Sequence, residues 1–513
     1  MQPVNTAHGK VAGLALDQVD EFRGIPFAAP PQGERRFLGP GAPAGWSGVL
    51  EADRFRDAAW QVPNPLMGTE QISDDCLYLN LWRPKGDGPF PVMVWIHGGA
   101  YTSGSPSQLL YSGRRLAASQ QVIVVNLAYR LGAWGFGWYR GVAPDLPQDS
   151  NPGLRDQVAG LTWVKENIAA FGGDPGRVTV FGESAGGFSV ASLMGCPQAA
   201  GLFQQAIVQS GAGDFVLPPE EADKVAQVVV DELPGEGSAE ARLMACDAQA
   251  LVRAQIKAAR QVVRRGCRES TPQFGMTFMP VVDGDLVPGL PAERVRAGVA
   301  RDIRLLASVC RDEWHLFQFA PPFNGGVGLE RLRQLEQADI EKRFRRNLPH
   351  HWEQGLDYYR HRVQVHPERG LLDYCSALET DRTFVVPTVR LLDAHADAGG
   401  QAWGCRFDRD IHAFGVPLGA CHVSDVPLVF GLTDTPAGQL FTGGGEAAAQ
   451  LSAQVMQAWG RFAHGHDPGW ARWSEGRLAL APGGPAEMVS LLDPAGEQLW
   501  RQIIAPCTEE KSS

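Results

Sequence analysis

The segment that most restricts the fold is Arg177-Val178-Thr179-Val180-Phe181, running without a break into Gly182-Glu183-Ser184-Ala185-Gly186-Gly187 and then Phe188 to Met194. An apolar, β-branched run of this kind reads as a buried strand, and Phe188 to Met194 is compatible with a helix. Between them lies G-x-S-x-G, so the chain must turn sharply from strand to helix at a serine. Glycines are needed there because the turn is tight and strand and helix backbones approach closely. A serine at such a turn is lifted from the sheet towards a helix N-terminus. Free N–H groups and the helix dipole favour negative charge at that point. Ser184 is therefore the candidate nucleophile.

Two more runs of buried-strand type, Pro91 to Ile96 and Gln121 to Val125, precede it, and Leu154 to Phe171 has helical periodicity. Strands continuous in apolar residues and alternating with helices predict a large, mostly parallel sheet flanked by helices, an α/β fold. Residues about 216–270 and 327–400 break the rhythm with helix formers and charge, as in Ala222 to Glu232 and Leu329 to Phe344. They are expected to be helical insertions capping one end of the sheet within a single domain spanning 1–513. Their basic clusters, Arg264, Arg265, Arg268 and Lys342, Arg343, Arg345, Arg346, read as solvated helix faces.

The net charge of −11 disfavours a grip on nucleic-acid phosphates or anionic lipid. No run reaches the length of a membrane span, and the first residues, Met1-Gln2-Pro3-Val4-Asn5, lack a secretory pattern. Nine scattered cysteines without a CxxC favour reduced thiols, hence a cytoplasmic setting, over disulfides or zinc. His464-Gly465-His466-Asp467-Pro468 reads as a turn rather than a metal site. No metal is expected.

The strand Pro91 to Ile96 ends in His97-Gly98-Gly99-Ala100-Tyr101. A serine nucleophile attacking an acyl carbonyl creates an oxyanion, which needs N–H donors already aimed at it. The N–H groups of Gly99, Ala100 and Ala185 suit that role, with His97 structural. An activated serine also needs a histidine and a carboxylate that orients it. Twelve histidines compete.

Taken together, Phe22-Arg23-Gly24-Ile25-Pro26-Phe27-Ala28, Asp74 to Trp82, Val94 to Gly99, Tyr129-Arg130-Leu131-Gly132, Phe171 to Pro175 and Phe181 to Gly187 resemble the type-B carboxylesterase/cholinesterase family of α/β-hydrolases along nearly the whole chain. The resemblance implies an α/β-hydrolase fold and cofactor-free hydrolysis of carboxylic esters by a Ser–Glu–His triad in that chain order. Gly419 to Gly431 looks like the family's histidine loop, making His422 the base, with His412 as competitor. Leu305 to Glu313 is similar to the strand that ends in the acid, making Glu313 the acid, with Asp312 the adjacent alternative, expected to face solvent. Cys310 and Trp314 depart from the family's Asn and Gly around it. The resemblance also suggests ion pairs Arg130–Asp156 and Arg36–Asp74 and a supporting serine at Ser210. Cys76 matches a position that often forms a disulfide in secreted members, but as the first cysteine of the chain it is expected to be a thiol. Tyr101, Phe278, Trp314, Phe317 and Phe414 are candidate pocket walls. The expected partner is a small ester with a short-to-medium acyl or aryl group, cleaved through an acyl-enzyme on Ser184. Neither nucleic acid nor membrane is expected, and the oligomeric state is unreadable.

Overall fold

The computed structural model describes residues 2–64, 67–262, 276–323, 325–481 and 487–504. Among these the main sheet has eleven strands, here β1 to β11 in chain order. They are Leu14–Ala15, Val19–Pro26, Tyr78–Pro84, Phe90–Ile96, Ile123–Leu127, Gly173–Glu183, Gln205–Gln209, Arg304–Cys310, Ala402–Phe407, Ala479–Ala481 and Glu487–Val489. The spatial order is β11-β10-β9-β8-β7-β6-β4-β5-β3-β2-β1. From β10 through to β5 every pairing is parallel, and antiparallel strands close both ends. Strands β4, β5 and β7 are buried at every position, as strands covered on both faces are, and β4 accordingly reads as an unbroken apolar run. Helices Pro152–Asn167, Ala185–Gly195, Val386–Asp397 and Gly445–Ala463 pack on the sheet. This is the architecture expected of an α/β-hydrolase.

Helices Pro219–Glu232, Ala239–Ala245 and Ala248–Val262 occupy the first of the two helix-rich stretches. Its end, with Arg264, Arg265 and Arg268, lies outside the described residues. In the second stretch the helix-rich segment Leu329 to Phe344 is covered by two helices, Leu329–Arg333 and Gln337–Asn347. The break is a capping box: the Glu336 side chain accepts from the N–H of Asp339, whose own side chain accepts from the N–H of Glu336. A π-helical turn, Asp381–Val385, follows helix Leu372–Thr380. No helix among the described residues is long and apolar enough to cross a membrane.

The loops carrying the candidate site leave the sheet at one edge, the C-terminal ends of parallel strands β4, β6, β8 and β9. Ligand sites of open α/β sheets form at that edge.

Candidate active site

Strand β6 ends at Glu183, and Ser184 follows with φ 56° and ψ −124°. A non-glycine residue is strained at positive φ, and only its surroundings hold it there. The Ser184 N–H donates to the Gln209 carbonyl at 3.0 Å, and its own carbonyl accepts from Phe188 at 2.9 Å. A Cβ on Gly182 would lie 2.6 Å from the Gly186 carbonyl carbon and 2.7 Å from the Ile96 oxygen. The glycines of the turn are therefore required by close backbone approach.

The loop after β4 runs beside this serine, since a Cβ on Gly98 would come within 3.1 Å of Ser184 Cβ. Gly99 and Ala100 adopt φ 115° and 54°. The Gly99 carbonyl accepts from Thr102 N at 3.0 Å, Ser103 N at 3.0 Å and Ser103 Oγ at 3.1 Å, which fixes the loop. Among the described residues no hydrogen bond within the chain uses the N–H groups of Gly99, Ala100 or Ala185. His97 is buried and stacks on Tyr129 with ring centroids 4.4 Å apart. Its Nδ1–H donates to the Gly98 carbonyl at 2.8 Å, and burial lowers its pKa to about 4. That neutral ring supports the backbone of the loop.

His422 Nδ1 lies 2.6 Å from Glu313 Oε2, and both side chains are buried. The other carboxylate oxygen of Glu313 accepts the Cys310 N–H at 2.7 Å, and the Glu313 carbonyl accepts the His422 N–H at 3.3 Å. Carboxyl and imidazole are thus tied through side chain and backbone together. Asp312, expected to face solvent, instead accepts from Arg311 at 2.7 Å and from Ala420 N at 3.0 Å. The reason is a positive φ at Gly419, where a side chain would collide with the Asp312 carboxylate. The rival His412 is exposed on a hairpin.

No hydrogen bond joins Ser184 Oγ to the ring. His422 Nε2 instead sits 3.0 Å from Glu183 Oε1, without hydrogen-bond alignment, and both atoms are buried. Burial pushes Glu183 up to about 8. Burial disfavours a charged His422, yet the carboxylates of Glu183, Glu313 and Asp425 outweigh it and raise the ring to about 9. With a carboxylate at each nitrogen, imidazolium is the form stabilised from both sides. Asp425, raised by burial to about 6, accepts the Gln209 amide at 2.6 Å. Ser210 begins the turn after β7 with φ 47°, and its buried hydroxyl has no hydrogen bond among the described residues.

Two rings flank the His422 imidazole: Phe317 at 5.1 Å and Phe384 at 4.8 Å. Trp314 packs on Phe317 at 5.1 Å. Tyr101 is turned into the core, where its hydroxyl accepts from Ser189 at 3.4 Å and its ring packs on Phe136. Phe278 is also buried, and Phe414 lies between Phe323 and Phe441. Neither Glu183 at Nε2 nor Phe384 was singled out from the sequence. Glu183 had a signal, as the residue joined to Ser184; Phe384, inside the π-helical turn, had none. An open cleft of about 530 Å³, lined by His8, Phe27, Arg155 and Trp163 among others, shares no residue with this constellation.

Of the two suggested ion pairs, Arg130–Asp156 is present and buried, with contacts of 2.8 and 2.7 Å from Nε and Nη2. Arg36 makes no close ion pair with Asp74, although its charge still acts on that carboxyl. Its guanidinium donates to the carbonyls of Leu243 at 3.1 Å and Cys246 at 2.8 Å, at the end of helix Ala239–Ala245. Cys76 is a buried free thiol.

A family model described as "Carboxylesterase family" matches residues 1–481. A para-nitrobenzyl esterase of Bacillus subtilis (strain 168) is 36% identical over 91% of this chain and 90% of its own length. An acetylcholinesterase of Bungarus fasciatus is 32% identical over 91% of this chain and 78% of its own. Among solved structures, a Geobacillus stearothermophilus carboxylesterase superposes with TM-score 0.82 at 32% identity, covering 98% of this chain and 99% of that one. Fold, edge loops and whole-length similarity converge, and the chain belongs to the carboxylesterase family.

Proposed function

We propose that the protein hydrolyses carboxylic esters of small molecules, with short-to-medium acyl or aryl groups, through an acyl-enzyme on Ser184. The observation that carries this reading is the 2.6 Å contact between His422 Nδ1 and Glu313, beside a strained serine and three uncommitted N–H groups. Ser184 Oγ attacks the ester carbonyl while neutral His422 Nε2 takes its proton. Glu313 holds the Nδ1–H and stabilises the imidazolium. The N–H groups of Gly99, Ala100 and Ala185 bind the oxyanion. The imidazolium then protonates the leaving alcohol, and water releases the acid by the same steps in reverse roles. Because only the neutral ring can accept a proton, the contact between Nε2 and Glu183 has to give way to Ser184 Oγ first. Such contacts often tighten only once substrate is bound.

Trp314 and Phe317, with Phe384, are read as wall beside the base. The positions of Tyr101 and Phe278 in the core count against a wall role for them. Residues 1–513 are read as one unit, which is supported by a sheet whose strands continue on both sides of each helical stretch. A cytoplasmic setting is supported by the seven described cysteines, all free and buried. Ser184→Ala, assayed on p-nitrophenyl acetate, should lose more than about 10³ in kcat. Activity within about tenfold of wild type refutes the assignment.

A further inference from the structure

His422 is carried by a loop that the main sheet does not hold. It follows the hairpin Ile411–Ala413 and Val416–Gly419, a two-stranded sheet of its own. Side chains from elsewhere grip the backbone just ahead of it. The Pro417 carbonyl accepts from Arg369 Nη1 at 2.8 Å, and the Leu418 carbonyl accepts from His315 Nδ1 at 3.0 Å. Ala420 donates to the Asp312 carboxylate at 3.0 Å and accepts from the Asp312 N–H at 2.9 Å.

His315 stands two residues after Glu313, at the start of helix His315–Phe319, and is buried. A carbonyl can only accept, so its Nδ1 carries the proton. Its Nε2 lies 3.7 Å from Asp373 Oδ1. Asp373, also buried, accepts from Arg369 Nε at 2.7 Å and from the His366 N–H at 2.7 Å. Asp373 thus orients Arg369, which holds Pro417 beside the His315 that holds Leu418. Burial, with the Arg369 cation, lowers the pKa of His315 against the opposing pull of the Asp312 and Asp373 carboxylates, which favours the neutral ring.

We propose that His315, alongside the Arg369 that Asp373 holds, is a positioning residue for His422: it fixes the hairpin backbone so that the imidazole meets Glu313 and Ser184 in register. The proposal rests on His422 being the base. It gives residues 366–373 of the second helix-rich stretch a part in aiming the proton relay, beyond covering the sheet.

The test uses the full-length protein with His315→Leu, which removes the donor, and His315→Asn, whose amide offers one near the Nδ1 position. kcat and KM for p-nitrophenyl butyrate are divided by the number of sites titrated to completion with a serine-directed phosphonate, so misfolded molecules are not counted. For His315→Leu the per-site kcat should fall about 10- to 100-fold with KM within about threefold, since small misplacements of a reacting group cost about that much. His315→Asn should recover to within about fivefold of wild type. A per-site kcat within about threefold for His315→Leu, with only fewer titratable sites, would mean a purely structural role and overturn the proposal. Equal impairment of both variants would overturn it too. If His315→Leu does not fold, Asp373→Asn replaces it: a per-site kcat lowered about 3- to 10-fold with KM held supports the proposal, and an unchanged value refutes it. Failure of the underlying esterase reading would appear separately, as wild-type protein that the phosphonate neither labels nor silences.

Discussion

Replacing Glu313 by Gln gives the sharpest test of the relay, because the change preserves volume and alters only what each oxygen position can do. In the native protein both carboxylate oxygens accept: one takes the Cys310 N–H at 2.7 Å, the other faces His422 Nδ1 at 2.6 Å. A glutamine has one acceptor oxygen and one donor nitrogen. If its oxygen faces Cys310, its NH₂ meets His422 Nδ1. The ring then has to move its proton to Nε2, the nitrogen meant to receive the serine proton. If its oxygen faces His422, the NH₂ opposes the buried Cys310 N–H instead, and the backbone that holds the acid loses its bond. In either orientation the negative charge that stabilises the imidazolium is gone. The comparable Asp-to-Asn change in a serine-protease triad lowers kcat by about 10⁴, a barrier increase of about 5 kcal/mol. The expectation here is a loss of about 10³–10⁴ in kcat on p-nitrophenyl acetate, with KM changed by less than about threefold. Rates are normalised to folded protein by circular dichroism. A variant within about tenfold of wild type would refute the role of Glu313, and Asp312 would not rescue it, being committed to Arg311 and Ala420.

Glu183→Gln removes one of the carboxylates that raise His422, so the ring should lose its proton at lower pH and the acid limb of kcat/KM should move down; a limb that stays or rises contradicts the 3.0 Å contact as an ion pair. Asp156→Asn leaves the Arg130 cation buried without a countercharge, a loss of about 3–5 kcal/mol. With an unfolding entropy of about 2 cal/mol/K per residue, that lowers Tm by about 3–5 °C in a chain of this length. Differential scanning fluorimetry and per-site kcat together check it: an unchanged Tm, or a kcat drop beyond about threefold, would mean that the pair is not architectural.

What was legible in the sequence followed from backbone rules with one outcome. Val178 to Phe181 had to be a buried strand, and only a tight turn fits Gly182 to Gly186, so the strained serine and its sheet edge could be placed from residue types. The second stretch is helical as its composition implies, but where it divides into Leu329–Arg333 and Gln337–Asn347 was not legible, because the reciprocal cap of Glu336 and Asp339 acts locally against continuing apolar spacing. Arg36 was assigned a partner by resemblance. Its reach to Leu243 and Cys246 depends on how the first group of helices docks, and one-dimensional spacing does not carry that information. Phe384 was hidden for the same reason: an apolar residue in a helical run looks the same whether it faces the core or a reacting imidazole. Asp312 turned inward because of the backbone at Gly419, more than a hundred residues away in sequence.

The unfavourable dihedral at Ser184 belongs to the assembled protein rather than to its own stretch of chain. A peptide spanning 177–195 would relax it, and the hydroxyl would lose its aim together with the flanking amides. A reagent that needs an activated serine therefore reports conformation as much as chemistry. Applied to a crude preparation, it would count correctly folded molecules and pass over every copy whose sheet had failed to close.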